Sequence, residues 1–173
     1  MTYRSPYEAY PFLSDPADDL RCDYEILTDQ MASMMGMLAA LAPEFREDLL
    51  AQEALLYQAN AGARTFCSLT EAEIADLAAL CARWRAQTEG RCRRFVLPQG
   101  SQRASLAHVL RAKSKEAVRM LYRMTEQGVR IDPRLIDALS LLSEFFFRLA
   151  LKLNALDGVE EIEFESRNYP APR

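Results

Sequence analysis

The residues with the clearest chemical potential form a run of cations on one predicted helix. Arg111, Lys115 and Arg119 follow one another at four-residue spacing, and residues four apart share a helix face. Guanidinium and ammonium groups make charge-assisted hydrogen bonds to phosphate oxygens, so these side chains could hold a polyphosphate. On spacing alone, a solvated helix face that is partly compensated by Glu116 is the favoured interpretation.

An apolar loop comes directly before this cationic helix. Residues 95–100 read Phe-Val-Leu-Pro-Gln-Gly and are followed by Ser101, a residue type that commonly caps a helix N-terminus. Phe95 in such a loop could be either a hydrophobic plug or a cofactor contact. His108, the only histidine, lies among apolar neighbours on the helix, which favours a hydrogen-bonded or a surface histidine over a metal ligand.

Five helices are predicted to position these residues. Apolar residues recur at helical spacing over residues 22–41, 43–60, 70–87, 101–127 and 132–157. Pro43 and Pro133 are compatible with a first helical turn, and Thr70 with Glu73 forms a capping-box pattern. Residues 159–165 alternate apolar and acidic, which predicts a short extended segment. Short loops between the helices favour an all-α, five-helix up-and-down bundle.

The length of 173 residues predicts one domain with three parts. We expect an irregular N-terminal segment at residues 1–19, the helical bundle at residues 20–165 and a C-terminal tail at residues 166–173. Half of the residues are hydrophobic (50%), so the bundle has enough apolar surface for a sizeable core.

Charge and composition argue against several functions. The chain has 21 basic and 25 acidic residues and a net charge of −4, whereas a nucleic-acid binder needs a basic face. No stretch reaches the roughly 20 apolar residues of a membrane span. The N-terminus lacks a secretory pattern, so we expect a cytoplasmic protein with reduced cysteines. Wide cysteine spacing does not favour a metal site. If the protein is an enzyme, we therefore expect a cofactor to supply the demanding part of its chemistry.

Three segments resemble the propanediol-utilisation (PduO) type of cobalamin adenosyltransferase, and they occur in that family's order. FVLPQGS at residues 95–101 resembles the signature FVLPGGS. LSLLSEFFFRLA at residues 139–150, followed by Asn154, resembles the family's LNRLSDYLFVLAR…N. TDQMASMMG at residues 28–36 resembles VDELNSxIG. The matches fall on the first, fourth and fifth predicted helices, and together they cover the bundle from Cys22 to Glu163.

The resemblance implies a five-helix bundle that assembles as a homotrimer with active sites between subunits. Enzymes of this type transfer the 5′-deoxyadenosyl group of ATP, bound with magnesium, to the cobalt of a reduced corrinoid (cobalamin), and they release triphosphate. The cobalt is the nucleophile, and a dry apolar pocket that excludes its lower ligand makes reduction easier. The implied ligands are therefore a corrinoid and ATP, and a corrinoid-dependent enzyme is a candidate partner.

The resemblance also assigns roles to individual residues. Phe95 matches a loop phenylalanine that faces the corrinoid. Asp29 matches an aspartate that pairs across the subunit interface with a helix-four arginine, and Arg111 matches that arginine, so these two are the implied catalytic residues. The implied corrinoid- and ATP-binding residues are Phe95, Arg111, Lys115, Arg119, Ser140 and Glu144.

The ATP side of the pattern departs from the family. Its glycine-rich N-terminal loop, TRTGDxG, has no counterpart here, where residues 2–5 read Thr-Tyr-Arg-Ser. Glu116 stands where the family has an arginine, Val118 where it has a glutamate, and Leu141 where it has another arginine. A glutamate beside a triphosphate reverses the local charge and should weaken phosphate binding. Two functions stay open: an adenosyltransferase with an altered ATP site, or a non-catalytic relative that serves as a corrinoid-binding carrier, sensor or assembly partner.

Overall fold

The chain is described by a computed structural model over residues 3–92 and 94–168, and these residues form five α-helices. The helices are α1 (Leu20–Leu41), α2 (Arg46–Asn60), α3 (Glu71–Thr88), α4 (Gln102–Glu126) and α5 (Pro133–Leu156). The predicted five-helix, all-α bundle is thereby confirmed. Residues 1–2 and residues 169–173 of the predicted tail lie outside the described residues.

Local signals set most of the helix ends. The Thr70 hydroxyl accepts the Glu73 N–H at 3.2 Å while the Glu73 carboxylate accepts the Thr70 N–H at 2.7 Å, which is the predicted capping box. The Ser101 hydroxyl caps α4 by accepting the Ala104 N–H at 3.3 Å. One predicted end is wrong: Pro43 begins a 3-10 turn that ends at Phe45, where the backbone leaves helical geometry, so α2 starts at Arg46.

Helix α5 lies at the centre of the core and packs against α4 on one side and α3 on the other. Phe145 and Phe146 are fully buried, and the Phe145 ring stacks on Trp84 of α3 with ring centroids 4.9 Å apart. Successive helix residues point about 100° apart, so Phe147 turns out of the core toward α4. Met31 and Met35 of α1 are also fully buried and belong to the same core.

The N-terminal segment, residues 3–19, contains turns and is tied to the bundle by Arg64. The Arg64 guanidinium donates to the Glu25 carboxylate at 2.8 Å and to Asp15 at 2.9 Å, and it lies 3.7 Å from the centroid of the Phe12 ring. Tyr10 donates to the same Glu25 carboxylate at 2.7 Å. Glu25 is only 4% exposed, so these partners are what makes its burial tolerable.

The predicted extended segment pairs with the apolar loop before α4. Among the described residues the only isolated bridge joins Val96 to Glu163 in antiparallel orientation. The Leu97 N–H donates to the Ile162 carbonyl at 2.8 Å, and the Phe164 N–H donates to the Phe95 carbonyl at 2.7 Å. None of the helices described carries an apolar stretch long enough to cross a membrane.

Candidate active site

An open cavity of about 960 Å³ lies between α4, α5 and the paired loop and C-terminal segments. This volume is in the range of pockets that hold a sizeable organic ligand. Five of the seven site residues predicted from the sequence line it: Phe95, Arg111, Lys115, Ser140 and Glu144. Residues that are up to 49 positions apart in the sequence thus meet around one space.

Aromatic side chains form the apolar part of the cavity wall. Phe95 stands at the mouth and is 73% exposed, and Phe164 is 49% exposed on the segment that pairs with its loop. Phe147 of α5 completes this wall. Large apolar side chains left open to solvent in one place suit a ligand with a broad apolar surface.

Arg111 supplies the most unusual polar group of the cavity. Its guanidinium carbon lies 5.7 Å from the centroid of the Phe147 ring, and its Nε is buried with no hydrogen-bond partner among the described residues. Burial lowers the pKa of Arg111 from its usual value. A buried donor without an acceptor is costly. Since Arg111 lines the cavity, a small reorientation of its guanidinium would let it donate to a carboxylate or a phosphate of a ligand.

Glu144, by contrast, is already engaged within the chain. Its Oε1 accepts from Arg148 at 2.7 Å and from Arg85 at 3.0 Å. Burial alone would raise the pKa of Glu144, but the two guanidinium groups hold that pKa below its usual value. The carboxylate is therefore ionised at neutral pH, and its neighbours fix its position.

The structure places Arg119 away from the cavity. With Lys113 and Glu116 it lines a second groove of about 420 Å³ between α1 and α4. Each four-residue step along a helix overshoots a full turn by about 40°, so Arg119 points about 80° away from Arg111. The predicted single face of three cations is corrected accordingly: Arg111 and Lys115 share the cavity, and Arg119 faces the groove.

Asp29 also lies outside the cavity lining. It is exposed on α1 and accepts a hydrogen bond of 2.6 Å from the Tyr57 hydroxyl of α2. No ion pair joins it to Arg111 among the described residues of one chain. The implied pairing of these two residues between subunits stays a prediction.

The family model described as cobalamin adenosyltransferase matches residues 16–153. This chain belongs to the cobalamin adenosyltransferase family. The corrinoid adenosyltransferase of Bacillus subtilis (strain 168) is similar, with 29% identity over an alignment of 160 residues that covers 86% of this chain and 81% of that protein.

Solved structures of the PduO-type ATP:corrinoid adenosyltransferase from Lactobacillus reuteri have the same fold as this family member. A variant with phenylalanine replaced by alanine, complexed with cobalamin and ATP, matches with a TM-score of 0.77 and 19% identity, covering 86% of this chain and 87% of that one. An arginine-to-lysine variant complexed with ATP matches with a TM-score of 0.74 and 21% identity, covering 85% and 88%.

Sequence reasoning assigned no role to several residues of this adenosyltransferase-family site. Phe147 and Phe164 belong to the cavity wall, and Asn154 hydrogen-bonds the loop that carries Phe95. The alternating pattern of residues 159–165 predicted an extended segment but could not name its partner. A buried asparagine on an apolar helix face was the available signal for Asn154, because buried amides are almost always hydrogen-bonded.

His108 lies beside the cavity, not in its lining. It is 4% exposed, and its ring centroid is 6.2 Å from that of Phe147. Burial, helped by the Arg111 charge, lowers the pKa of His108 to about 4, so the imidazole is neutral at pH 7. Within the part of the chain that the structure describes, no three His, Cys, Asp or Glu side chains are grouped to hold a metal ion.

Proposed function

We propose that this protein is an ATP:corrinoid adenosyltransferase, which transfers the 5′-deoxyadenosyl group of ATP to the cobalt of a reduced corrinoid. One observation carries the proposal beyond family membership. A single cavity combines an exposed phenylalanine, an aromatic wall and a buried guanidinium N–H with no acceptor. The apolar surface suits a macrocycle, and the cation suits a phosphate or carboxylate.

The corrinoid would occupy the cavity of about 960 Å³. Phe95 and Phe164, together with Phe147, offer it apolar contact and exclude water from the face of the macrocycle. Since these side chains carry no metal-ligating atom, a corrinoid bound against them would receive no cobalt ligand from this wall. Loss of the lower ligand makes the cobalt easier to reduce, and the reduced cobalt attacks the 5′-carbon of ATP while triphosphate leaves.

The triphosphate would lie along α4, where Lys115 opens into the cavity and Arg119 into the neighbouring groove. Glu116 would oppose phosphate binding by its charge, but its carboxylate lies 3.7 Å from Lys113 Nζ. That exposed pair has little effect on stability, yet it offsets part of the negative charge beside the groove. ATP binding by this altered cation set is therefore still expected.

We further propose that a neighbouring chain completes the site in a homotrimer. Within the described part of the chain, Arg111 Nε has no acceptor, and Tyr57 is the only side chain that donates to Asp29. A head-to-tail cyclic assembly brings different faces of neighbouring subunits together, and it would give each of these charges its partner. A cytoplasmic location and a corrinoid-dependent partner enzyme stay predictions from the sequence.

An anaerobic assay tests the activity directly. Purified protein is incubated with cob(I)alamin, ATP and magnesium under strongly reducing conditions, and adenosylcobalamin is followed by its absorption spectrum while triphosphate is quantified. We expect both products in equal amounts. The corrinoid adenosyltransferase of Bacillus subtilis serves as the positive control. If that control turns over and this protein forms no adenosylcobalamin, the proposal is rejected.

The second candidate is a non-catalytic corrinoid-binding relative. It is favoured by Glu116 and Val118 on α4, by Leu141 on α5, and by the absence of a counterpart to the family's glycine-rich loop in residues 2–5. Calorimetric titrations with magnesium-ATP and with cob(II)alamin separate the two functions. Tight ATP binding excludes the non-catalytic relative, whereas corrinoid binding without ATP binding supports it.

A further inference from the structure

The amide of Asn154 bridges the two residues that flank Gly100. Asn154 is fully buried near the end of α5; its Oδ1 accepts the Ser101 N–H at 3.0 Å, and its Nδ2 donates to the Gln99 carbonyl at 3.1 Å. Gly100 has a φ of +143°, and a Cβ there would lie 1.9 Å from Asn154 Oδ1. The amide reaches the loop only because residue 100 has no side chain.

Glu161 holds the other side of the same amide. Asn154 Nδ2 lies 3.2 and 3.3 Å from the two carboxylate oxygens of Glu161, whose side chain is only 5% exposed. Arg91 also donates to this carboxylate, at 3.4 Å. The site therefore needs an acceptor toward Ser101 and a donor toward Gln99 and Glu161, a combination that an asparagine supplies and an aspartate does not.

The loop is also attached along its length to the C-terminal segment, residues 159–165. The bonds between Phe95 and Phe164 and between Leu97 and Ile162 hold the backbone, and the Gln99 side chain donates to the Glu160 carbonyl at 3.2 Å. Phe95 itself is 73% exposed and cannot hold its own position by packing. Its orientation therefore depends on the fixed backbone of residues 95–100.

We propose that Asn154 is a positioning residue for corrinoid binding. Its buried amide, together with Gly100 and Glu161, fixes the loop so that Phe95 stands at the cavity before any ligand arrives. Asn154 lines no part of the cavity and acts only through the loop. A loop ordered in advance reduces the entropy lost on binding, which increases affinity. The inference rests on the proposed function of the cavity.

Asn154→Asp tests this role with a side chain of the same shape. It keeps the acceptor for Ser101, removes the donor, and puts a second carboxylate beside Glu161. We expect the dissociation constant for cob(II)alamin and the KM for the corrinoid to rise about tenfold or more, with the KM for ATP changed less than about twofold. The double variant N154D/E161Q restores a donor opposite the new carboxylate but leaves the Gln99 carbonyl without its donor, so part of the affinity should return.

Asn60→Asp is the matched control. The Asn60 amide ties α2 to α1 through the Glu25 carbonyl at 2.8 Å and the Thr28 hydroxyl at 2.7 Å, on residues that do not line the cavity. This variant should lose stability without losing corrinoid affinity. If N154D does not fold, Asn154→Ser, which adds no charge, gives the same comparison and the same expected loss.

The outcomes separate this inference from the proposed function. A wild-type protein that binds no cob(II)alamin overturns both. A wild-type protein that binds it overturns the inference alone if N154D or N154S keeps full affinity, or if corrinoid and ATP binding weaken equally. Selective corrinoid loss with recovery supports the inference, even where turnover is absent.

Discussion

Phe95 stands at the mouth of the cavity with 73% of its surface exposed, whereas Phe145 on α5 is fully buried. Truncating an exposed side chain changes stability by about 0.5 kcal/mol or less, while truncating a buried phenylalanine costs about 3–5 kcal/mol. We therefore expect Phe95→Ala to unfold like the wild type in urea but to lose corrinoid affinity at least tenfold. Phe145→Ala should unfold at a much lower urea concentration. Unchanged cobalamin binding by the first variant would exclude Phe95 from the site.

His108 makes the stability of the chain depend on pH in a predictable direction. Its folded pKa of about 4 lies below the unfolded value of 6.5, so between these values the unfolded chain binds more protons and stability falls as the pH falls. Going from pH 7 to pH 5 should cost about 2 kcal/mol through this residue alone. Urea unfolding of the wild type and of His108→Leu at both pH values measures the free energy of unfolding. The variant should lack the part of the pH-dependent loss that comes from His108. Equal pH dependence of the two proteins would contradict the assignment.

Between elements, the turn after α2 is packed more tightly than its sequence suggests. A Cβ on Gly62 would lie 2.6 Å from Leu135 Cδ2 at the start of α5, and Leu135 is fully buried. Overpacking of this kind costs about 1–3 kcal/mol, so Gly62→Ala should lower the free energy of unfolding by that amount in urea titrations. Gly90→Ala is the control, because no atom lies within 4 Å of the added Cβ. A destabilised G90A protein together with a normal G62A protein would contradict the packing described.

Helix ends were predictable from the sequence because their causes are local. The Thr70–Glu73 capping box and the Ser101 cap each involve residues within one turn of each other. Pairings between distant segments were not predictable, since the alternation of residues 159–165 indicates an extended backbone and says nothing of its partner. The same holds for the site: family motifs located both Phe95 and Asn154, but the amide of Asn154 acquires its role from contacts to Gln99 and Ser101, more than 50 residues away.

At the scale of the whole molecule, groups of opposite charge lie on different helices. Arg111 on α4 lines the cavity, and its Nε has no acceptor among the described residues. Asp29 on α1 is exposed, and Tyr57 is the only described side chain that donates to it. Donors on one surface and acceptors on another are what a head-to-tail interface requires, and such interfaces close into rings when the rotation permits.

Asp29→Arg is the sharpest test of that assembly. If Asp29 meets Arg111 of a neighbouring chain, the substitution puts two like charges together at a partly buried contact, which costs several kcal/mol in specificity. Sedimentation should then fall from about three times the chain mass of 19.7 kDa to the mass of one chain, and turnover should fall with it. Asp76→Arg makes the same charge change on an exposed position of α3 and should leave the mass unchanged. A D29R protein with unchanged mass and turnover would remove Asp29 from the interface and from the site.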